Sequence, residues 1–400
     1  MAKKNDDFFL EKKAWSVVKD ELLGCYFKPY VSKILHTNRP LVYVDCFAGK
    51  GKFEDGNNGS PLIALEIIDR CCSSTTMQRT QVEATFIDLN YADDLQKNLA
   101  AYPWVKIVSG KYEDNIKSIL QDKGNCNVFL YIDPYGIKAL QCSLFDDFAK
   151  GKFNSIELLI NMNSFGFIRE ACHALGAVFD DKALFADLVE YDPTKMDASK
   201  KSMNELNEIA GGDYWKPIIE AYKKNEINGY DAEALFAEKY CARLRRSYTY
   251  VLNMPLRIKR GQRPKYRLIH ATNHRDGCLL MVDNICNRWE ALQEIQSGGQ
   301  MLLWEENVDN QAVAEDAIEE KTIKHFSQYN KLTSLHDALA MFFMEYGPIC
   351  STGTVRKILK KLEENGRLSV ERKPTLTGRG KKATFMIEGK GKMVSVRWLK

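Results

Sequence analysis

Residues 41–66 read LVYVDCFAGKGKFEDGNNGSPLIALE, and the parsing of this stretch decides the fold class. Residues 41–46 are apolar and rich in Val and Tyr, long enough for one buried strand and too short for a capped helix. Gly49 and Gly51 then give the chain positive-φ freedom and a bare backbone that can approach a ligand closely. Gly56 and Gly59 lengthen the loop. Ser60 with Pro61 reads as a helix start, the hydroxyl as cap and the ring at the first helical position. Strand, glycine loop and helix in this order form the first βα unit of an open α/β sheet, where ligands sit at the carboxyl ends of the strands. A dinucleotide fingerprint needs a third Gly or Ala three residues beyond Gly51, but Glu54 stands there, and its charge is unsuited to a pyrophosphate.

At 400 residues, 45% hydrophobic and 28% charged, the chain has room for two or three globular domains. No apolar run approaches the roughly 20 residues that span a bilayer. The first 15 residues, MAKKNDDFFLEKKAW, lack the apolar core of a signal peptide. Eleven cysteines occur without a C-x-x-C pair, which reads as reduced thiols in a cytoplasmic protein and predicts neither disulfides nor a metal site.

Outward from the opening unit, residues 10–36 predict an amphipathic helix broken near Gly24 and Pro29, with Trp15, Val18, Leu22, Leu23 and Tyr26 on its apolar face. Strands are expected at 82–87, ending on Asp88, and at 105–108, 128–132 and 156–160, the last leading into Asn161. Helical patterns lie between them, which implies a parallel sheet. An acid ending the second strand, opposite the glycine loop, stands where a nucleoside ribose is gripped, although a plain strand-end Asp satisfies the same pattern. Residues 165–246 are mostly helical pattern and read as an insertion forming a lid or substrate platform. Residues 248–259 and 265–272 form a hairpin whose turn, RGQRP, is basic; Lys259, Arg260 and Arg263 there suit a phosphate-bearing substrate or a solvated turn.

The motifs FAGKG with GSPL, FIDLN, FLYIDPYG, IELLINMN and YRLIHATNHRDGCLLM, in this order, resemble the three-Cys-motif partner proteins, which are similar to class I S-adenosylmethionine (SAM) dependent methyltransferases. The likeness runs through most of residues 15–287 and departs from the family pattern at Lys50, where Pro is common. It implies a Rossmann-like methyltransferase sheet, SAM as cofactor, and a three-Cys-motif protein as partner. Cofactor contacts then fall to Asp45, Phe47, Ala48, Gly49, Gly51 and Asp88. The N–H groups of Gly49 and Gly51 would reach the methionine carboxylate, Asp45 would face the amino group or order the loop, and Asp88 would hold the ribose. The tetrapeptide Asp133-Pro134-Tyr135-Gly136 resembles the [DNS]-P-P-[YFW] motif of enzymes that methylate an exocyclic base amine. The acid and the Pro carbonyl would accept the amino hydrogens, and Tyr135 would stack on the base. A simple turn after a strand is the other reading of DPYG. Methylation of a protein amide, and a SAM-sensing regulator without chemistry, remain open.

Residues 331–400 carry 15 Lys and Arg against 6 Asp and Glu, so this tail is strongly basic on a mildly acidic body. An acidic linker and helix, 297–330, separates it from residues 1–296. Three helices, 313–326, 335–346 and 352–365, then a strand at 367–372 and a return through 385–387, resemble a winged helix. Arg356 and Lys360 on the third helix, with Arg379, Lys381 and Lys382 on the wing, would contact the phosphates of DNA or RNA. A protein partner is the alternative for the same basic surface.

Overall fold

The computed structural model describes residues 6–12, 14–37, 39–74, 81–134, 136–179, 203–256, 266–296, 313–389 and 391–399. Seven strands make one sheet in the order β3-β2-β1-β4-β5-β7-β6. They are β1 Leu41–Asp45, β2 Val82–Asp88, β3 Lys106–Ser109, β4 Asn127–Ile132, β5 Ser155–Met162, β6 Tyr250–Leu256 and β7 Tyr266–Thr272. The first five are parallel, and β7 is antiparallel to both β5 and β6. β1 and β4 are buried at every residue, because they sit at the centre with helices on both faces.

One face is covered by α1 Ala14–Leu35, α2 Ser60–Ser73 and the helix Arg275–Gln296. The other is covered by α4 Tyr112–Leu120, α5 Cys142–Ala149, α6 Ser164–Ala174 and the helices Met203–Ala210, Trp215–Lys223 and Gly229–Leu244. The region expected as an insertion therefore supplies much of this second apolar layer: Phe167, Trp215 and Phe236 are buried in the same cluster as Val42 and Leu130. A short helix, α3 Ala92–Asn98, follows β2.

Three local expectations are corrected. α1 is continuous, with Pro29 inside it and no break at Gly24, where a methyl group would come within 3.6 Å of Ile63. Burial of Leu22, Leu23, Tyr26, Phe27, Tyr30 and Val31 on the sheet outweighs the local helix-breaking cost. The cap of α2 is Gly59, because the Ser60 hydroxyl is turned to Asp45 instead. In the tail, β9 Leu368–Lys373 pairs antiparallel with β10 Met393–Trp398 and not with 385–387. Val394 and Val396 give β10 the alternating buried face that sets the register.

The tail has helices Glu315–Phe326, Leu335–Tyr346 and Thr352–Glu364 and a small antiparallel sheet in which β10 lies between β9 and the two-residue β8 Thr333–Ser334. It is docked on the helix Arg275–Gln296. Arg275 pairs with Asp337 at 2.7 Å, His336 meets Asp276 at 2.7 Å, and Asp283 accepts both the N–H and the hydroxyl of Thr352 at 2.8 Å. Apolar packing is continuous across this seam. The seam begins just after Thr272, which pairs with Glu157 near the start of β5, so its first contacts lie at the amino end of the parallel strands.

Candidate active site

The strand order reverses between β1 and β4, and the crevice at the carboxyl ends of these two strands is where an open α/β sheet holds its ligand. Asp45 ends β1, and Asp133 follows β4 directly. α1 runs back against the sheet, pinned near the strands' amino ends by the Tyr26 hydroxyl, which donates to Glu157. Its first turns consequently reach the crevice and deliver Lys19 and Asp20.

Asp45 is fully buried. Its Oδ2 accepts from the Ser60 hydroxyl at 2.7 Å and its Oδ1 from the Phe47 N–H at 3.2 Å, so of its two expected roles it performs loop ordering. Burial pushes its carboxyl up to about 7, with the nearby charges of Asp133 and Asp20 adding to the effect. Asp20 is pushed up to about 6, again chiefly by burial, against the pull of Lys12 at 2.7 Å. Asp133 has both oxygens engaged: Oδ2 by the Lys19 ammonium at 2.5 Å and Oδ1 by the Asn161 amide nitrogen at 2.6 Å. Pro134 is buried, and Tyr135 lies outside the described residues.

The glycine loop is bound to the end of β2. Asp88 Oδ2 accepts the Gly49 N–H at 2.9 Å, while its Oδ1 accepts the N–H groups of Asn90 and Tyr91 at 2.8 and 2.7 Å. The Gly49 N–H is therefore spent on Asp88, not presented to a ligand carboxylate as the sequence suggested. Ala48 donates its N–H to the Ile87 carbonyl at 2.9 Å, a further tie between the same two strand ends. Phe47 packs its ring against Tyr112. Gly49 and Gly51 have φ values of +59° and +76°. Added methyl groups there would strike Phe9 at 2.9 Å and Leu95 at 2.8 Å, so close packing as well as backbone freedom requires glycine.

Residues 6–12 lie over this loop. The Phe9 carbonyl accepts the Glu54 N–H at 2.8 Å, and the Lys12 ammonium donates to the Asn58 carbonyl at 2.7 Å. Lys50 holds its ammonium 5.2 Å from the Phe9 ring centre and 5.4 Å from that of Tyr91, a cation between two aromatic rings.

Two side chains central to the crevice escaped the sequence reading, and a third, Asn161, was named there without a role. Lys19 and Asp20 sit in a helix whose periodicity says nothing of which polar residue faces a cleft. Asn161 was visible as the polar residue interrupting the apolar strand β5, and that interruption was the available signal.

The described part of the basic surface divides in two. Lys360, Arg379, Lys381 and Lys382 are exposed, the last three at a tight turn around Gly380. Arg356 is partly buried, its Nε without a hydrogen-bond partner among the described residues, and it faces the charges of Asp283 and Asp276 across the seam and of Glu388 on its own side. It belongs geometrically to the docking contact more than to an outer basic face. Lys259, Arg260 and Arg263 lie outside the described residues. Among the described residues no three His, Cys, Asp or Glu side chains are placed to share a metal ion. No described helix is long and apolar enough to cross a membrane.

No family model matches the chain, and no curated protein matches it. Among solved structures it is similar to a spermidine synthase in complex with the transition-state analogue AdoDATO, at 9% identity over 71% of this chain and 72% of that one, with a TM-score of 0.33. A cyclopropane-fatty-acyl-phospholipid synthase-like protein from Lactobacillus casei aligns at 10% identity over 64% of this chain and 91% of its own, with a TM-score of 0.24. A geranyl diphosphate methyltransferase in complex with GPP and sinefungin aligns at 13% identity over 62% and 77%, also with a TM-score of 0.24. The mixed seven-stranded sheet, with its antiparallel strand β7 and its crevice between β1 and β4, has a Rossmann-like architecture.

Proposed function

We propose that the chain is a SAM-dependent methyltransferase that acts on nucleic acid, at an exocyclic base amine. The observation that carries this reading is the set of three carboxylates, Asp20, Asp45 and Asp133, gathered at the switch point of the sheet, two of them held well above the usual carboxylate range. Asp20 and Asp45, raised chiefly by burial, form a bed that a cation relieves, while Asp133 is already paired with Lys19. SAM, which carries an ammonium and a sulfonium, suits that bed and would supply an electrophilic methyl group there. Asp88 has three N–H groups on a carboxylate that offers about four acceptor sites, so it would take one ribose hydroxyl while continuing to hold the loop. Asp133, fixed by Lys19 and Asn161, would receive a hydrogen of the target amine and so orient the nitrogen lone pair toward the methyl group.

The arrangement of the tail, three helices with a small antiparallel sheet and an exposed basic turn, supports a winged-helix reading, with phosphate contacts from Lys360, Arg379, Lys381 and Lys382. A three-Cys-motif protein is proposed as the partner on the strength of the sequence resemblance.

Calorimetry with SAM and a labelled-methyl assay on separate DNA, RNA and protein fractions test the reading together. Label is expected in nucleic acid. Asp133→Asn should cut transfer at least 100-fold while SAM affinity changes less than about fivefold, since contacts made only in the transition state affect turnover and not binding. Label in protein alone, or no SAM binding, would refute the proposal.

A further inference from the structure

Asn161 follows the apolar centre of β5 and is 2% exposed. Its amide nitrogen is accounted for, donating to Asp133 at 2.6 Å. Its Oδ1 is buried and meets no hydrogen-bond donor among the described residues. Native structures leave few buried acceptors unpaired, and one beside a reactive carboxylate calls for a specific cause. A missing donor that arrives with a ligand is such a cause, and its chemistry follows from the surroundings. Asp133 lends Oδ2 to Lys19 and Oδ1 to Asn161, so both its oxygens are held in place. The two hydrogens of a planar primary amine diverge, and near-linear bonds to both require two acceptors set side by side. The carboxylate of Asp133 and the amide oxygen of Asn161, joined through one hydrogen bond, provide such a pair.

We propose that Asn161 is a specificity-determining residue that selects a primary amine: Asp133 accepts one amino hydrogen and Asn161 Oδ1, in place of the Pro134 carbonyl expected from the tetrapeptide, the other. This assignment rests on the amine-methylation reading above. In the transfer, the nitrogen lone pair forms the new N–C bond as the carbon–sulfur bond breaks and sulfur keeps that bond's electrons. The nitrogen, now positively charged, gives one of its hydrogens as a proton to the Asp133 carboxylate, which is partly exposed and passes it to water. The second hydrogen stays with the product on Asn161. A monomethylated amine has only one hydrogen to offer, so on a second pass it would leave one acceptor empty or press a methyl group against it. The site therefore stops after one methyl group.

The test compares full-length wild-type protein with Asn161→Ala, using SAM and total nucleic acid, with the methylated nucleosides quantified by mass. Wild type is expected to give monomethylated base almost exclusively. The variant should lose about 10- to 100-fold in overall transfer while its ratio of dimethylated to monomethylated product rises at least 10-fold, a change that a merely structural role would not produce. SAM affinity and thermal unfolding report the fold, and Asn161→Ser carries the same measurement if the alanine variant is unfolded. An unchanged product ratio in a folded, active variant overturns the role of Asn161 alone. Wild-type protein that binds SAM yet methylates no base amine overturns this assignment together with the reading beneath it.

Discussion

Asp45 shows how a single residue can be legible in the sequence while its partners are not. Its position at the end of the first strand was clear from the sequence, but its burial and its bond to Ser60 depend on how α2 closes over the loop. The consequence is a pH dependence of fixed sign. With carboxyls pushed up to about 7 at Asp45 and about 6 at Asp20, from ordinary values of 3.8, the folded protein binds more protons than the unfolded chain across that window. Their contribution to stability is full below about pH 4 and is lost as pH rises toward 7. Asp45→Asn keeps an acceptor for the Phe47 N–H and removes the titration. The variant should gain on the order of 1 to 3 kcal/mol at pH 8, little at pH 4, and show a flatter profile in urea unfolding followed across pH. Asp133 was also legible, through its tetrapeptide. Lys19 was not, because tertiary packing decides which of the three lysines of α1 meets Asp133.

Elements were read more reliably where the pattern is short and strong. All seven strands of the large sheet were placed, since each is an apolar run bounded by polar or glycine residues. The helix Arg275–Gln296 was missed, because its sequence mixes Asp, Asn and Arg into the apolar positions to meet the tail as well as the sheet. The glycine loop was found for the right residues and only part of the reason. Gly51 sits at φ +76°, with the Leu95 side chain 2.8 Å from where a methyl group would be. Gly51→Ala should therefore lower the unfolding free energy by about 1 to 3 kcal/mol, through backbone strain and overpacking together. Denaturant unfolding checks this, and a loss within a few tenths of a kcal/mol would mean that the loop rearranges freely.

At the scale of the whole molecule, the basic tail is tied to the sheet by ion pairs and by a shared apolar core. Its charge was legible from composition, but its docking was not: the residues that make the seam, among them Asp283, Arg275 and Arg356, look like ordinary surface charges in the sequence. Because Arg356 is engaged there, the proposed phosphate contacts fall to the exposed set. Changing Lys360, Arg379, Lys381 and Lys382 together to Gln should reduce the slope of log affinity against log salt by about 3 to 4 units, since each lost phosphate contact removes roughly 0.9. An unchanged slope would assign the tail to a protein partner. The placement of the seam carries one more implication. It starts at the amino end of the strands, and Asp133 lies at the other end, about 23 Å away along a seven-residue strand. The first of the docking contacts and the candidate acid therefore occupy opposite ends of the strands, so a change at Arg275 or Asp337 should leave the geometry around Asp133 intact.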